Sequence, residues 1–327
     1  MTSLTAAVVQ QPPVYLNLKE SIKKAVEYTE KAADQGGDII IFPETWLPGY
    51  PVWLDFSPNA ALWDYGPAKK LFRVLMENAV KIPDDITKII DIAQKLNVHL
   101  VIGVNEKKGG TLYNTMVFID NTGTYTIHRK LLPTYSERMV WGRGDGSTLK
   151  AMPTTYGTLG GLICWEHWMP LARAAMHAQY ETIHIAQWPM VKPLHHIACR
   201  HYAFEGQCFV VAAGCIITKK EILTGALSVA KNDTCELLHE MPVKDTDFLL
   251  TGGSAIIAPD TQYVTGPIYD EYTIVYGTIN TDILSEGHLF LDTSGHYARP
   301  DIFQLTVNDQ PQNSVTFQSS HAAEFKD

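Results

Sequence analysis

Three residue types in this sequence could together carry a covalent attack on an electrophilic carbon: a thiol, a carboxylate and an ammonium. Cys164 follows Leu159-Gly-Gly-Leu-Ile163, Glu44 follows Ile39-Ile-Ile-Phe42, and Lys130 follows Tyr125-Thr-Ile-His-Arg129. Each stands where a strand-like run ends. A cysteine nucleophile works as its thiolate, and a base or nearby cation lowers the effective pKa of the thiol from about 8.5. A carboxylate can take the thiol proton. An ammonium can stabilise negative charge that builds on the attacked atom. The three suffice for addition to a carbonyl or a nitrile. The turn after Cys164 reads as a strand-to-helix elbow, which would leave backbone N–H groups free near the sulfur.

The elements around these residues alternate in type. Leu4–Val9 reads as a buried strand. Asn17 caps a helix with Glu20 three residues on, and Leu18, Ile22, Ala25, Thr29 and Ala32 carry its spacing. Gly36-Gly37 stops it, and Asp38–Phe42 is a strand covered on both faces. Helical patterns recur over 67–79 and 84–96, followed by a strand over Val98–Val104. Thr115–Asp120 and Thr124–Arg129 form a hairpin about Asn121-Thr122-Gly123. Further strands lie at Thr158–Cys164, Thr182–Gln187 and Phe209–Ala213. Met169-Pro170 opens one helix, and another helical stretch precedes Phe209. Ser254–Ala258 and Tyr272–Thr281 read as a late hairpin. In open α/β sheets, sites gather outside strand ends, so the three ends could converge. With no repeat and no low-complexity linker, the pattern predicts one large mixed α/β domain over 1–305. A polar tail without periodicity follows over 306–327.

Composition narrows the class. The chain has 327 residues, 46% hydrophobic and 19% charged, a globular balance rather than a disordered one. Its 35 acidic and 26 basic residues give a net charge of −9. With no basic run, nucleic acid and anionic membrane surfaces are poor partners. No apolar run reaches membrane-spanning length, and the first residues carry no secretory pattern. Five cysteines without Cys-x-x-Cys spacing predict free thiols in a reducing, cytoplasmic compartment.

Other candidates read more plainly. Cys199, Cys208, Cys215 and Cys235 are core or surface thiols. His195, His196, Cys199 and His201 invite a metal reading, but no second ligand pair has matching spacing, so no metal is expected. His167 lies too close to Cys164 along the chain to face its sulfur. The aromatic residues Tyr50, Trp53, Trp141, Trp165 and Trp188, beside these motifs, fit an apolar small-molecule pocket.

The motifs resemble those of the nitrilases, within the carbon–nitrogen hydrolases. Phe42-Pro-Glu44 with Leu47-Pro-Gly-Tyr-Pro51 resembles their first glutamate motif. His128-Arg-Lys-Leu-Leu-Pro-Thr-Tyr-Ser-Glu137 resembles the lysine motif with its second glutamate. Gly161-Leu-Ile-Cys-Trp-Glu-His-Trp-Met-Pro170 is similar to the nucleophile motif. Trp141-Gly-Arg-Gly-Asp-Gly146 and Gly295-His-Tyr-Ala-Arg-Pro-Asp301 fit the same family. The five stand in family order along nearly the whole chain.

The resemblance implies a four-layer α-β-β-α sandwich with two mixed sheets. It implies Cys164 as nucleophile, Glu44 as base, Lys130 as charge stabiliser and Glu137 as a second acid, with the Trp165 N–H as oxyanion donor. Tyr50, Trp53, Thr134, Trp141, Trp188 and Pro189 would line the pocket. The implied reaction is nitrile to carboxylic acid and ammonia, without a cofactor. A related amidase, a cyanide-hydrolysing enzyme or a nitrile hydratase-like activity are alternatives on the same scaffold. The family usually pairs two sandwiches, which implies a homodimer or larger homo-oligomer.

Overall fold

The opening strand Ser3–Gln10 (β1) divides its side chains between two cores, as the two-residue period of a strand requires. A computed structural model of the chain describes residues 3–315. Ala7 and Val9 of β1 join a core with Ile40, Leu100 and Ile102, whereas Leu4, Ala6 and Val8 join another with Ile39, Ile41 and Val101. Strands apolar on both faces must be covered on both.

The first sheet also holds Ile39–Ile41 (β2), His99–Lys108 (β3), Thr111–Ile119 (β4) and Tyr125–Arg129 (β5). The second holds Met152–Thr154 (β6), Gly157–Ile163 (β7), Ile183–Gln187 (β8), Phe209–Ala213 (β9), Ile216–Thr218 (β10), Phe248–Ile257 (β11) and Tyr263–Tyr269 (β12). Thr273–Asn280 (β13) returns to the first sheet, whose order is β13-β1-β2-β3-β4-β5. The second runs β10-β11-β9-β8-β7-β6, with β12 also on β11. Both sheets are mixed: β1-β2-β3 and β7-β8-β9 are parallel and the remaining pairs antiparallel.

Helices Leu18–Asp34 (α1), Trp53–Phe56 (α2), Gly66–Glu77 (α3) and Thr87–Leu96 (α4) bring Ala25, Leu71 and Ile89 to the outer core of the first sheet. Asn17 caps α1, its side chain accepting from the Glu20 N–H at 3.1 Å. Pro170–His177 (α5) and Pro193–Gly206 (α6) bring Ala172, Met176, Tyr202 and Ala203 to the core of the second. The layers run helix, sheet, sheet, helix.

One expectation fails. Ser254–Ala258 and Tyr272–Thr281 do not pair as a hairpin. β11 pairs with the intervening β12, as well as with β9 and β10, while β13 lies antiparallel to β1, with Ser3 opposite Asn280. Local apolar pattern marks a strand but carries no information on a partner so distant along the chain. The elbow after Cys164 runs first through a 3₁₀ turn, Cys164–Trp168, while α5 opens at Met169-Pro170, where the sequence puts a helix start.

No helix among the described residues is long and apolar enough to cross a membrane. Of the expected tail, residues 306–315 are exposed and carry neither strand nor helix. The Gln312 N–H donates to Asp145 Oδ2 at 2.8 Å. Residues 316–327 lie outside the described residues.

Candidate active site

Glu44, Lys130 and Cys164 each leave their own strand end, and they meet Glu137 at one buried point. Glu44 follows β2 in a turn laid directly on β3. A Cβ at Gly103 of β3 would lie 2.4 Å from both Pro43 O and Thr45 N, so only glycine admits that turn. Lys130 follows β5, with its N–H on Asn114 O of β4 at 2.8 Å. Glu137 sits in a 3₁₀ turn, Tyr135–Met139, and caps it by accepting from the Thr134 N–H at 2.7 Å. Cys164 follows β7 with a left-handed backbone (φ 55°). Thr45 and Tyr135, beside two other members of the group, also have positive φ (44° each). Non-glycine residues adopt this region at a cost that surrounding packing must offset, and such positions gather at functional sites.

Lys130 Nζ lies 3.0 Å from Glu44 Oε1 and 2.7 Å from Glu137 Oε2, with all three side chains buried. A carboxylate oxygen of each glutamate and the Cys164 Sγ lie within 4.8 Å of one another. Asn114 Nδ2 donates to Glu44 Oε1 at 2.6 Å, and the Tyr50 hydroxyl to Glu137 Oε1 at 3.2 Å. Glu44 Oε2 has no hydrogen-bond partner among the described residues. It is the free acceptor of the group.

Electrostatics set the resting protonation. Burial raises the Glu44 pKa to about 7, against the pull of Lys130. That suits an acid and base in turn near neutrality. Burial opposes the Lys130 charge, but Cys164, Glu44 and Glu137 outweigh it and hold the ammonium charged. The Cys164 thiol is pushed up, by burial first and by Glu44 next. Lys130 and the Trp165 N–H pull the other way and do not prevail. The sequence suggests a thiol poised as thiolate. The structure instead holds a thiol that must hand its proton to a base at the moment of attack.

Two carboxylates and a thiol this close could ligate a metal. Lys130 already stands on both carboxylates. It supplies the positive charge a cation would bring and would repel one.

A cavity of about 440 Å³ opens beside Cys164. Tyr50, Thr134, Glu137, Trp165 and Pro189 are on its wall. Trp53, Trp141 and Trp188 are not. Trp53 packs edge-on to Tyr15, and Trp141 stands behind Tyr50 with its Nε1–H on Asn105 Oδ1 at 2.9 Å. Trp188 is sandwiched between His167 and His195. Trp53 and Trp141 are absorbed by the outer core of the first sheet and Trp188 by the other core. Asp55, Met190, Lys192, His195 and Leu250 take wall positions instead. His195 Nδ1 lies 3.2 Å from the Lys192 nitrogen and 3.1 Å from the Met190 carbonyl oxygen, and His167 turns its Nδ1 to the Cys164 carbonyl rather than the sulfur.

Sequence reading also missed Glu166. Its carboxylate accepts from the Leu131 N–H (2.7 Å) and the Ile163 N–H (2.6 Å), and it meets His128 Nε2 at 3.0 Å. Burial opposes its charge, but His128 and the two N–H groups hold its pKa below the usual carboxylate range. One side chain thus ties the residue after Lys130 to the residue before Cys164.

Residues 5–286 match the carbon–nitrogen hydrolase family. The chain belongs to that family. Its relatives place this hydrolase among the nitrilases. It is 35% identical to an aliphatic nitrilase of Sinorhizobium fredii, over 96% of this chain and 99% of that one. It is 34% identical to nitrilase 1 of Arabidopsis thaliana, over 97% and 90%. It is also 35% identical to a bifunctional nitrilase/nitrile hydratase of Oryza sativa subsp. japonica, over 97% and 88%. A carbon–nitrogen hydrolase from Helicobacter pylori G27 shares the fold, with TM-score 0.69 at 18% identity over 91% of this chain and 96% of that one. So does an amidase from Nesterenkonia sp., with TM-score 0.60 at 14% identity over 86% and 92%.

Proposed function

We propose that this carbon–nitrogen hydrolase converts a small-molecule nitrile to its carboxylic acid and ammonia, with residues 1–305 as one catalytic domain. The observation that carries the reading is the convergence of Cys164 Sγ with the Glu44 and Glu137 carboxylates around Lys130. The nitrilase-named relatives support the same substrate class.

Glu44 takes the Cys164 proton through its free oxygen as sulfur adds to the nitrile carbon, and passes it to nitrogen. The product is a thioimidate on Cys164. Water adds with Glu44 as base. Lys130 and the Trp165 N–H stabilise the tetrahedral species, and ammonia leaves. A second water cleaves the thioester, returning the thiol and giving the acid. Two waters are consumed per nitrile. Glu137 orients Lys130 and supports the later proton transfers. If the tetrahedral species expels sulfur instead, the product is the amide. The bifunctional name of the rice relative supports that branch.

An apolar outer face on α5 and α6, with Leu171, Leu194, Ile197 and Phe204 exposed, supports a homodimer through these helices. All five cysteines are free thiols, which fits a reducing, cytoplasmic compartment.

The test is a nitrile panel scored for ammonia, acid and amide. Wild-type protein is expected to release ammonia from nitriles, and Cys164→Ala to lose that release by several orders of magnitude while remaining folded. Release within tenfold of wild type by the alanine variant overturns the assignment.

A further inference from the structure

A chain of buried groups leads away from the Cys164 backbone. His167 Nδ1 lies 2.7 Å from the Cys164 carbonyl oxygen. His167 Nε2 lies 3.1 Å from His184 Nε2 of β8. His184 Nδ1 lies 2.8 Å from Glu181 Oε1, and Glu181 Oε2 accepts from the Tyr202 hydroxyl of α6. All four side chains are buried. None of them lines the cavity.

Hydrogen-bond polarity fixes where the protons are. A carbonyl only accepts, so His167 carries its proton on Nδ1. A neutral imidazole then accepts at Nε2, so His184 carries its proton on Nε2. That leaves His184 Nδ1 as an acceptor facing Glu181, and the contact holds only if the carboxyl donates. The other arrangements put an imidazolium at His184, or one at His167 with His184 donating through Nδ1, in each case against a carboxylate at Glu181.

The surroundings favour the neutral form. Around Glu181, α5 offers His177, and its neighbour Arg173 and His177 itself are both committed to Glu205, at 2.6 and 3.2 Å. From α6 comes Tyr202, and before β9 comes Cys208, which has no positive form. His128 and Glu166, the nearest charges on the other side of His184, pair with each other. On β7, a Cβ at Gly160 would lie 1.8 Å from Glu181 Oε1. The carboxyl is therefore packed on bare backbone. Burial accordingly raises the Glu181 pKa to about 7 and holds His167 near 3 and His184 well below its ordinary value.

We propose that Glu181 is a neutral carboxylic acid that donates to His184 and so sets the tautomers of both histidines, letting the His167 Nδ1–H grip the Cys164 carbonyl and hold the left-handed turn that aims the sulfur. Glu181, His184 and His167 are positioning residues in this scheme. The rate arm of the test rests on the nitrile hydrolysis proposed above; the spectroscopic arm does not.

In the rate arm, Glu181→Leu is expected to lower kcat for ammonia release about 10- to 100-fold with KM little changed, as for other groups that orient a reacting residue from behind. Glu181→Gln restores it to within about threefold, since the amide N–H can donate to His184 and its oxygen accept from Tyr202. Equal loss in the glutamine and leucine variants overturns the neutral acid. Wild-type kcat in the leucine variant overturns the positioning role. In the second arm, ¹⁵N-histidine NMR of the resting wild-type protein at mildly acidic pH reads the tautomers directly. Nδ1–H at His167 and Nε2–H at His184 support the proposal, and an imidazolium at either histidine refutes it, whatever the enzyme's substrate and whether or not the leucine variant folds.

Discussion

Two buried polar groups flank the nucleophile, and they resolve the same problem in opposite ways. On one side Glu44, Lys130 and Glu137 keep a full positive charge between two carboxyl groups. On the other, Glu181, His184 and His167 form a chain of similar burial with no fixed cation. Burying a charge is costly unless it is paired, and a group without a partner neutralises instead. The first group retains charge because the reaction creates charge there. The second sheds it because a neutral chain suffices to hold a backbone carbonyl. Burial alone does not distinguish a catalytic cluster from a supporting one; the presence of Lys130 does.

The largest expected effect comes from removing that cation. Lys130→Met should abolish turnover and destabilise the fold by about 3–5 kcal/mol, because it strands carboxylates in the core. The sign with pH follows from Glu44, whose folded pKa lies above its unfolded one. Its ionisation costs stability as pH rises through about 7, and the cost grows without Lys130. Denaturation of the methionine variant should therefore show the deficit largest at alkaline pH and shrinking as the pH falls and the carboxyl groups take up protons. A deficit independent of pH would mean that Lys130 acts by packing alone.

A subtler change sharpens the contrast. Asn114 donates to Glu44 and helps keep its pKa from rising further. Glu44 must be ionised to accept the thiol proton, so activity should fall as pH drops through about 7. Asn114→Leu should move that acid limb of kcat/KM to higher pH, with a smaller loss at the optimum. An unmoved limb would assign it to another group.

Such second partners were the part of the site not legible in the sequence. Glu44, Lys130 and Cys164 stand at strand ends, and strand ends are readable from apolar runs. Glu137 came only through the family resemblance, since a glutamate in a polar loop carries no periodic signal. Asn114, Glu166 and Glu181 bond to Glu44, Leu131 and Tyr202, which lie 70, 35 and 21 positions away, and one-dimensional patterning does not encode such contacts. The same limit misassigned β13 to β11 rather than β1. Trp53, Trp141 and Trp188 misled for a different reason: a large ring beside a motif fills core as readily as it lines a pocket.

The smallest expected effect falls in the neutral chain. Gly160→Ala would push a methyl group into the Glu181 carboxyl. Overpacking of this kind costs about 1–3 kcal/mol. It should lower kcat several-fold and leave the acid limb set by Glu44 in place. A shifted limb would show that the two groups titrate together and end their separation.

The resting state of the nucleophile has a consequence for durability. Oxidants such as peroxide attack thiolates, and susceptibility follows thiolate character and exposure. Cys164 is only 4% exposed and is kept as a thiol until a base faces an incoming electrophile. A sulfur armed only by its own substrate is withheld from the sulfenic and sulfinic acid ladder between turnovers. The enzyme's working lifetime under oxidative conditions is thereby tied to how fully its pocket is occupied.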